Sequence, residues 1–127
     1  MMNYTKEQKD TIEKVISVFE DYITQCSTMD VVWSDKVGYI LLTGISTKRD
    51  DICMHPTVLE DAETLCEQLL YEIACDVIQE NGPFHDIHQS TPVVRKKIED
   101  AFHPYLIQLP EYQYLADELF EVPDWAK

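Results

Sequence analysis

The sequence predicts an α+β fold, and three observations point to it. Apolar residues recur at helical spacing over the first 26 positions. The period then shortens to that of β-strands between Val31 and His55, and helical spacing returns from residue 57 onward. The expected order is therefore an N-terminal helix, a small antiparallel sheet of two or three strands, a long acidic helix and two shorter C-terminal helices. With 127 residues, 45% of them hydrophobic and 27% charged, the chain has the composition of one globular domain spanning residues 1–127. Three glycines and no Ser-rich stretch leave no place for an internal linker.

Thr5 and Gln8 have the spacing of a capping box, in which each side chain satisfies a backbone donor of the first turn. Ile12, Val15, Ile16, Phe19, Tyr22, Ile23 and Cys26 follow on one helical stripe, so the first helix is expected from about Thr5 to Cys26. Val31-Val32-Trp33 and Val37–Thr43 are β-prone runs joined by the turn residues Ser34-Asp35-Lys36. The second run is apolar on both faces at Tyr39, Ile40, Leu41 and Leu42, which suits a strand that is central or covered on both sides. A third strand is expected over Asp51–His55, carrying Ile52 and Met54.

Pro56 and Thr57 read as the opening of the longest helix, about Thr57 to Asn81, with Asn81-Gly82-Pro83 as its stop. Its broad apolar face is expected to hold Leu59, Ala62, Leu65, Cys66, Leu69, Leu70, Ile73, Ala74 and Val77. Phe84–Gln89 reads as a loop. Ser90 or Thr91 should cap the next helix, which has Pro92 in its first turn and Val94, Ile98 and Phe102 on its inner stripe. Pro104 predicts a break or kink near His103, because proline has no N–H to continue the ladder. Pro110 should start a last short helix with Leu115, Leu119 and Phe120 on one face.

Charge narrows the functional classes. The formal net charge is -14, which disfavours direct binding to nucleic acid, since affinity for phosphates comes from Lys and Arg. It disfavours an anionic membrane surface for the same reason, and no apolar run approaches the ~20 residues of a membrane span. The N-terminal residues lack the apolar core of a secretory signal, and the four widely spaced cysteines fit reduced thiols, so the expected location is cytoplasmic. The negative charge is concentrated: residues 57–90 hold eight carboxylates and no Lys or Arg.

Projected at about 100° per residue, Glu60, Glu63 and Glu67 border one flank of the apolar face and Asp61, Glu72 and Asp76 border the other. Thr64, Gln68, Cys75 and Gln79 fill the neutral middle. Two acidic rails of this kind suit a protein-binding surface, because complementary charge steers the encounter with a basic partner. The expectation is a non-enzymatic module, of inhibitor or immunity type, whose carboxylates engage a basic protein, in its most specific form a nucleic-acid-binding one, by standing where phosphates would lie. The alternative within the fold is that Lys48-Arg49 or Arg95-Lys96-Lys97 neutralise a rail.

A second class of reading uses His85 and His88. Their H-x-x-H spacing could share a metal, with Cys53 and His55 as further ligands, although no fuller ligand pattern supports a metal or any cofactor. Arg95, Lys96 and Lys97 oppose the dipole of the helix they begin. With the amides after Ser90 and Thr91 they could hold an anion, or they could pair with Glu99 and Asp100. Cys66 and Cys26 fall on apolar faces, whereas Cys75 points toward the polar face and is the one candidate reactive thiol. Tyr112, Tyr114 and Trp125 could anchor an interface, including one between copies of the chain.

Overall fold

The structure is a computed structural model that describes residues 5–26, 29–46, 52–80 and 91–121. It has the expected α+β order: α1 (Lys6–Val18), α2 (Glu20–Gln25), β1 (Met29–Ser34), β2 (Gly38–Ser46), β3 (Ile52–Val58), α3 (Ala62–Glu80), α4 (Pro92–Leu106) and α5 (Tyr114–Phe120). The chain divides into two compact units, Met1–Leu65 and Cys66–Lys127.

In the first unit, the capping box is formed. The Gln8 amide donates to Thr5 Oγ1 at 3.0 Å, and the Thr5 amide donates to Gln8 Oε1 at 2.9 Å. The single helix expected to Cys26 is two segments that meet at Phe19, whose φ of -94° and ψ of 9° leave the helical region. The ladder is nonetheless carried across the joint by the Phe19 amide to the Val15 carbonyl and the Ile23 amide to the Phe19 carbonyl. The expected stripe is inward, with Ile12, Val15, Phe19 and Ile23 buried, while Ile16, Tyr22 and Cys26 are half-buried.

The sheet runs β1-β2-β3, all antiparallel, so β2 is central as its composition implied. Gly38, paired with Ser34 where the chain re-enters the sheet, has φ 90°, a value that penalises any residue with a Cβ. Register places Met29, Val31 and Trp33 on one face together with Thr43, Leu41 and Tyr39. Helix α1 lies on this face: Tyr39 Oη donates to Glu13 Oε1 at 2.6 Å, and Lys9 Nζ sits 4.7 Å from the centre of the Trp33 ring. Leu41 and Tyr39 are accordingly buried. The opposite face carries Val32, Ile40, Leu42, Met54 and Val58; Ile40 and Leu42 are only half-buried and Val58 is exposed.

The start of the long helix differs from expectation. Residues 56–58 belong to β3, where Ile40 pairs with Val58, Leu41 with Thr57 and Leu42 with Pro56, and α3 begins at Ala62. A proline is tolerated there because β3 is an edge strand. Asp61 provides the cap, accepting both the Thr64 amide and the Thr64 hydroxyl on Oδ1 at 2.8 Å.

In the second unit, α3 buries Cys66, Leu69, Leu70, Ile73, Ala74 and Ile78. Ile78 takes the inward place expected of Val77, which is half-buried. Helix α4 is capped by Thr91, whose Oγ1 accepts the Val94 amide at 3.3 Å. Of the break or kink expected near His103, the break does not occur, and the helix runs through Pro104 to Leu106. A proline this close to the C-terminus removes a single ladder bond, and buried Phe102 and Leu106 on either side hold the last turn in place. Gln108 Nε2 then donates to the Pro104 carbonyl at 2.9 Å. Pro110 opens a 3-10 turn, Pro110–Tyr112, before α5, where Leu115 and Phe120 are buried and Leu119 is half-buried.

Candidate functional site

Helix α3 carries most of the acidic residues singled out in the sequence, but not all. Glu60 and Asp61 precede it, so the projection that placed them on the two flanks holds only for Glu63, Glu67, Glu72 and Asp76. Asp61 is exposed, yet its carboxylate serves the helix by capping it. Glu63, in the first turn, also faces the positive end of the helix dipole. Glu60, Glu63 and Glu67 are exposed and form no ion pair among the described residues. The neutral middle is less open than expected: Thr64, Gln68 and Cys75 are half-buried, and only Gln79 is exposed.

On the other flank Glu72 is half-buried and Asp76 exposed, one helical turn apart. Burial first, and the Asp76 charge second, push the Glu72 carboxyl above its ordinary value. A carboxyl held above its unfolded pKa favours the protonated native state, so its ionisation weakens the fold as pH rises past 4.5. Glu72→Gln is therefore expected to raise Tm at pH 7, with a gain that shrinks on acidification and is gone below 4.5. Thermal unfolding followed at several pH values checks this, and a loss of Tm at pH 7 would contradict it.

The basic stretch at the start of α4 is engaged within its own helix. Arg95 Nε donates to Glu99 Oε1 at 3.2 Å and Lys96 Nζ to Asp100 Oδ1 at 2.9 Å, both at i,i+4 spacing. These pairs offset the unfavourable placement of cations near a helix N-terminus. Lys97 is exposed on the same turn.

No protein-family model, curated protein or solved structure matches this chain.

The metal reading falls mostly on residues that are not described. His85 and His88 lie outside the described residues, as do the Cys53 side chain, the loop Phe84–Gln89, the helix stop Asn81-Gly82-Pro83, the bases Lys48-Arg49 and Trp125. Among the described residues no three of His, Cys, Asp and Glu gather as metal ligands. Cys26, Cys66 and Cys75 are unbridged thiols; Cys66 is buried, and the other two are half-buried. No described helix is long and apolar enough to cross a membrane.

Of the aromatic candidates, Tyr112 is half-buried and Tyr114 is 43% exposed. Tyr114 borders a feature that the sequence reading missed, a cavity of about 670 Å³ between α4 and α5. Phe102 and Phe120 line it, their ring centres 6.4 Å apart, and Ile107 stands at its edge, 62% exposed. The one signal in the sequence was the Tyr114-x-x-Asp117 spacing, which puts an aromatic ring and a carboxylate on one helical face.

Proposed function

We propose that this chain is a non-enzymatic, cytoplasmic binding module for a basic protein, acting through carboxylates on and just before α3. The reading is supported above all by one contrast. Glu60, Glu63 and Glu67 are exposed without an ion pair among the described residues, whereas Arg95 and Lys96, two of the bases that the sequence offers for neutralising a rail, are bonded to Glu99 and Asp100. Unpaired carboxylates on successive turns attract Lys and Arg of an approaching surface and repel acidic competitors. A nucleic-acid-binding protein is the most specific partner of this kind, with the carboxylates taking the place of phosphates. Glu72 and Asp76 would extend the contact along the second flank, while Asp61 contributes to it mainly by holding the helix start.

The test begins with capture of the basic partner from the native host at low salt, eluted by a salt gradient. Association of that partner is then measured with the natural chain and with the double reversal Glu63→Lys/Glu67→Lys. The reversal is expected to slow association by about 10- to 100-fold and to flatten its dependence on salt. Unchanged association at both low and high salt would defeat the proposal.

A further inference from the structure

The cavity between α4 and α5 has an apolar floor and a charged rim. Phe102, Leu106 and Phe120, all buried, form the floor, and Ile107 stands 62% exposed at the mouth. The walls are held from within the unit. Gln113 Nε2 donates to the Leu106 carbonyl at 3.4 Å across the turn that joins the helices, and Tyr114 is already engaged within the chain. The volume of about 670 Å³ lies within the range of about 300–1,000 Å³ usual for small-molecule sites, which combine apolar walls with a few polar groups.

Two carboxylates mark the rim, and their circumstances differ. Glu99 accepts from Arg95 Nε at 3.2 Å, and the Arg95 guanidinium lies 4.3 Å from the centre of the Phe120 ring. That carboxylate and that ring therefore already have their cation. Asp117 is exposed and forms no ion pair among the described residues, His103 on the same rim included. No Lys or Arg among the described residues lines the cavity. The complement of this site is one positive charge at the rim joined to an apolar body on the floor. An anion would meet two carboxylates, and a neutral apolar ligand would leave Asp117 partly desolvated without a partner. A polyamine has no apolar body to cover the phenyl rings, and a quaternary ammonium has no N–H to give to Asp117. A lysine side chain from another protein is a single unbranched stem, too slender to fill the volume.

We propose that this cavity binds a small arylalkylamine, its protonated amine donating to Asp117 and its ring covering Phe102, Leu106 and Ile107. The site stands apart from the carboxylates on and before α3, and it adds a small-molecule ligand to the recognition of a basic protein.

The test compares tryptamine with tryptophol and indolepropionate, which keep its ring system and replace the positive charge by none or by a negative one. Backbone amide shifts of the ¹⁵N-labelled chain are followed at pH 7 in about 0.15 M salt, which screens diffuse attraction to an acidic chain. Saturable shifts are expected at His103, Ile107, Ala116 and Asp117, with tryptophol about three- to tenfold weaker and indolepropionate weaker still. In Asp117→Asn, tryptamine should weaken by the same factor while tryptophol binds as before, a pattern that a loss of folding would not produce. Equal response to tryptamine and tryptophol, a preference for the amine that survives Asp117→Asn, or no response at these residues overturns the proposal. So does a dependence of the same shifts on protein concentration without ligand, which would mean that a second copy fills the cavity. The Glu63→Lys/Glu67→Lys variant should bind tryptamine as the natural chain does. A loss of binding there, or shifts confined to α3, would place the amine on surface carboxylates and defeat the cavity, whereas indifference of partner association to those reversals defeats only the α3 reading.

Discussion

Phe102→Ala is expected to destabilise the second unit by about 3–5 kcal/mol, the range for deleting a fully buried aromatic side chain. The size follows from its setting. Phe102 is 1% exposed, it packs against Phe120, and Ile98 and Leu106 flank it on the same stripe of α4. Truncation removes the transfer free energy of the ring and leaves a void beneath α5 that packed neighbours can only partly fill. A domain of this size has about 5–15 kcal/mol of stability in total, so the variant should be largely unfolded at modest urea concentration. Ile107→Ala, at an exposed position on the turn after the same helix, should change stability by less than about 0.5 kcal/mol. Urea unfolding of the pair separates a buried lining residue from an exposed one, and equal losses in both would refute the assignment of Phe102 to the core.

The second large effect concerns Cys66. Burial above all, then the charges of Glu111 and Glu67, push its thiol from 9.0 up to about 12. Since the thiolate is the reactive form, a rise of this size lowers the reactive fraction at pH 8 by about a thousandfold. Iodoacetamide labelling of the folded chain, read by peptide mass spectrometry, should therefore reach Cys26 and Cys75 well before Cys66, with denaturant removing the difference. The shift also has a consequence for stability. Above pH 9 the unfolded chain releases this proton and the native chain retains it, so stability is fully present below 9 and falls as pH rises toward 12, by up to about 1.4 kcal/mol per pH unit. Cys66→Ala should remove that alkaline slope. Labelling of Cys66 as fast as Cys26 in the native chain would show that its burial has been misjudged.

Much of the architecture could be read from local chemistry. Thr5 with Gln8, the β-prone runs around Ser34-Asp35-Lys36 and Thr91 with Pro92 are short-range signals, and each is found where its residues stand. Pro56-Thr57 misled because a proline at the first turn of a helix and a proline on an edge strand carry the same local signature. What decides between them is pairing with Leu41 and Leu42, more than a dozen residues earlier. Once the strand claims those positions, Asp61 with Thr64 becomes the nearest available cap. Pro104 does not end its helix for a similar reason, since burial of Phe102 and Leu106 outweighs one missing bond. The acidic character of α3 was legible from composition alone. The division of labour within it, with Asp61 as a cap and Glu63 and Glu67 left exposed, needed the true helix start. The cavity was not legible, because Phe102 and Phe120 meet only through the turn at Pro110–Tyr112.

Pro56 has a further consequence beyond marking where β3 runs. A three-stranded sheet has two open borders, and each can template strands from neighbouring molecules. On the β3 border, proline removes one donor from the row that an incoming strand would have to match, and on β1 the charge of Asp30 accompanies the border. Such interruptions limit runaway lateral growth. For a sheet rich in Val, Ile and Leu, this helps to keep an apolar strand from becoming the seed of a fibril.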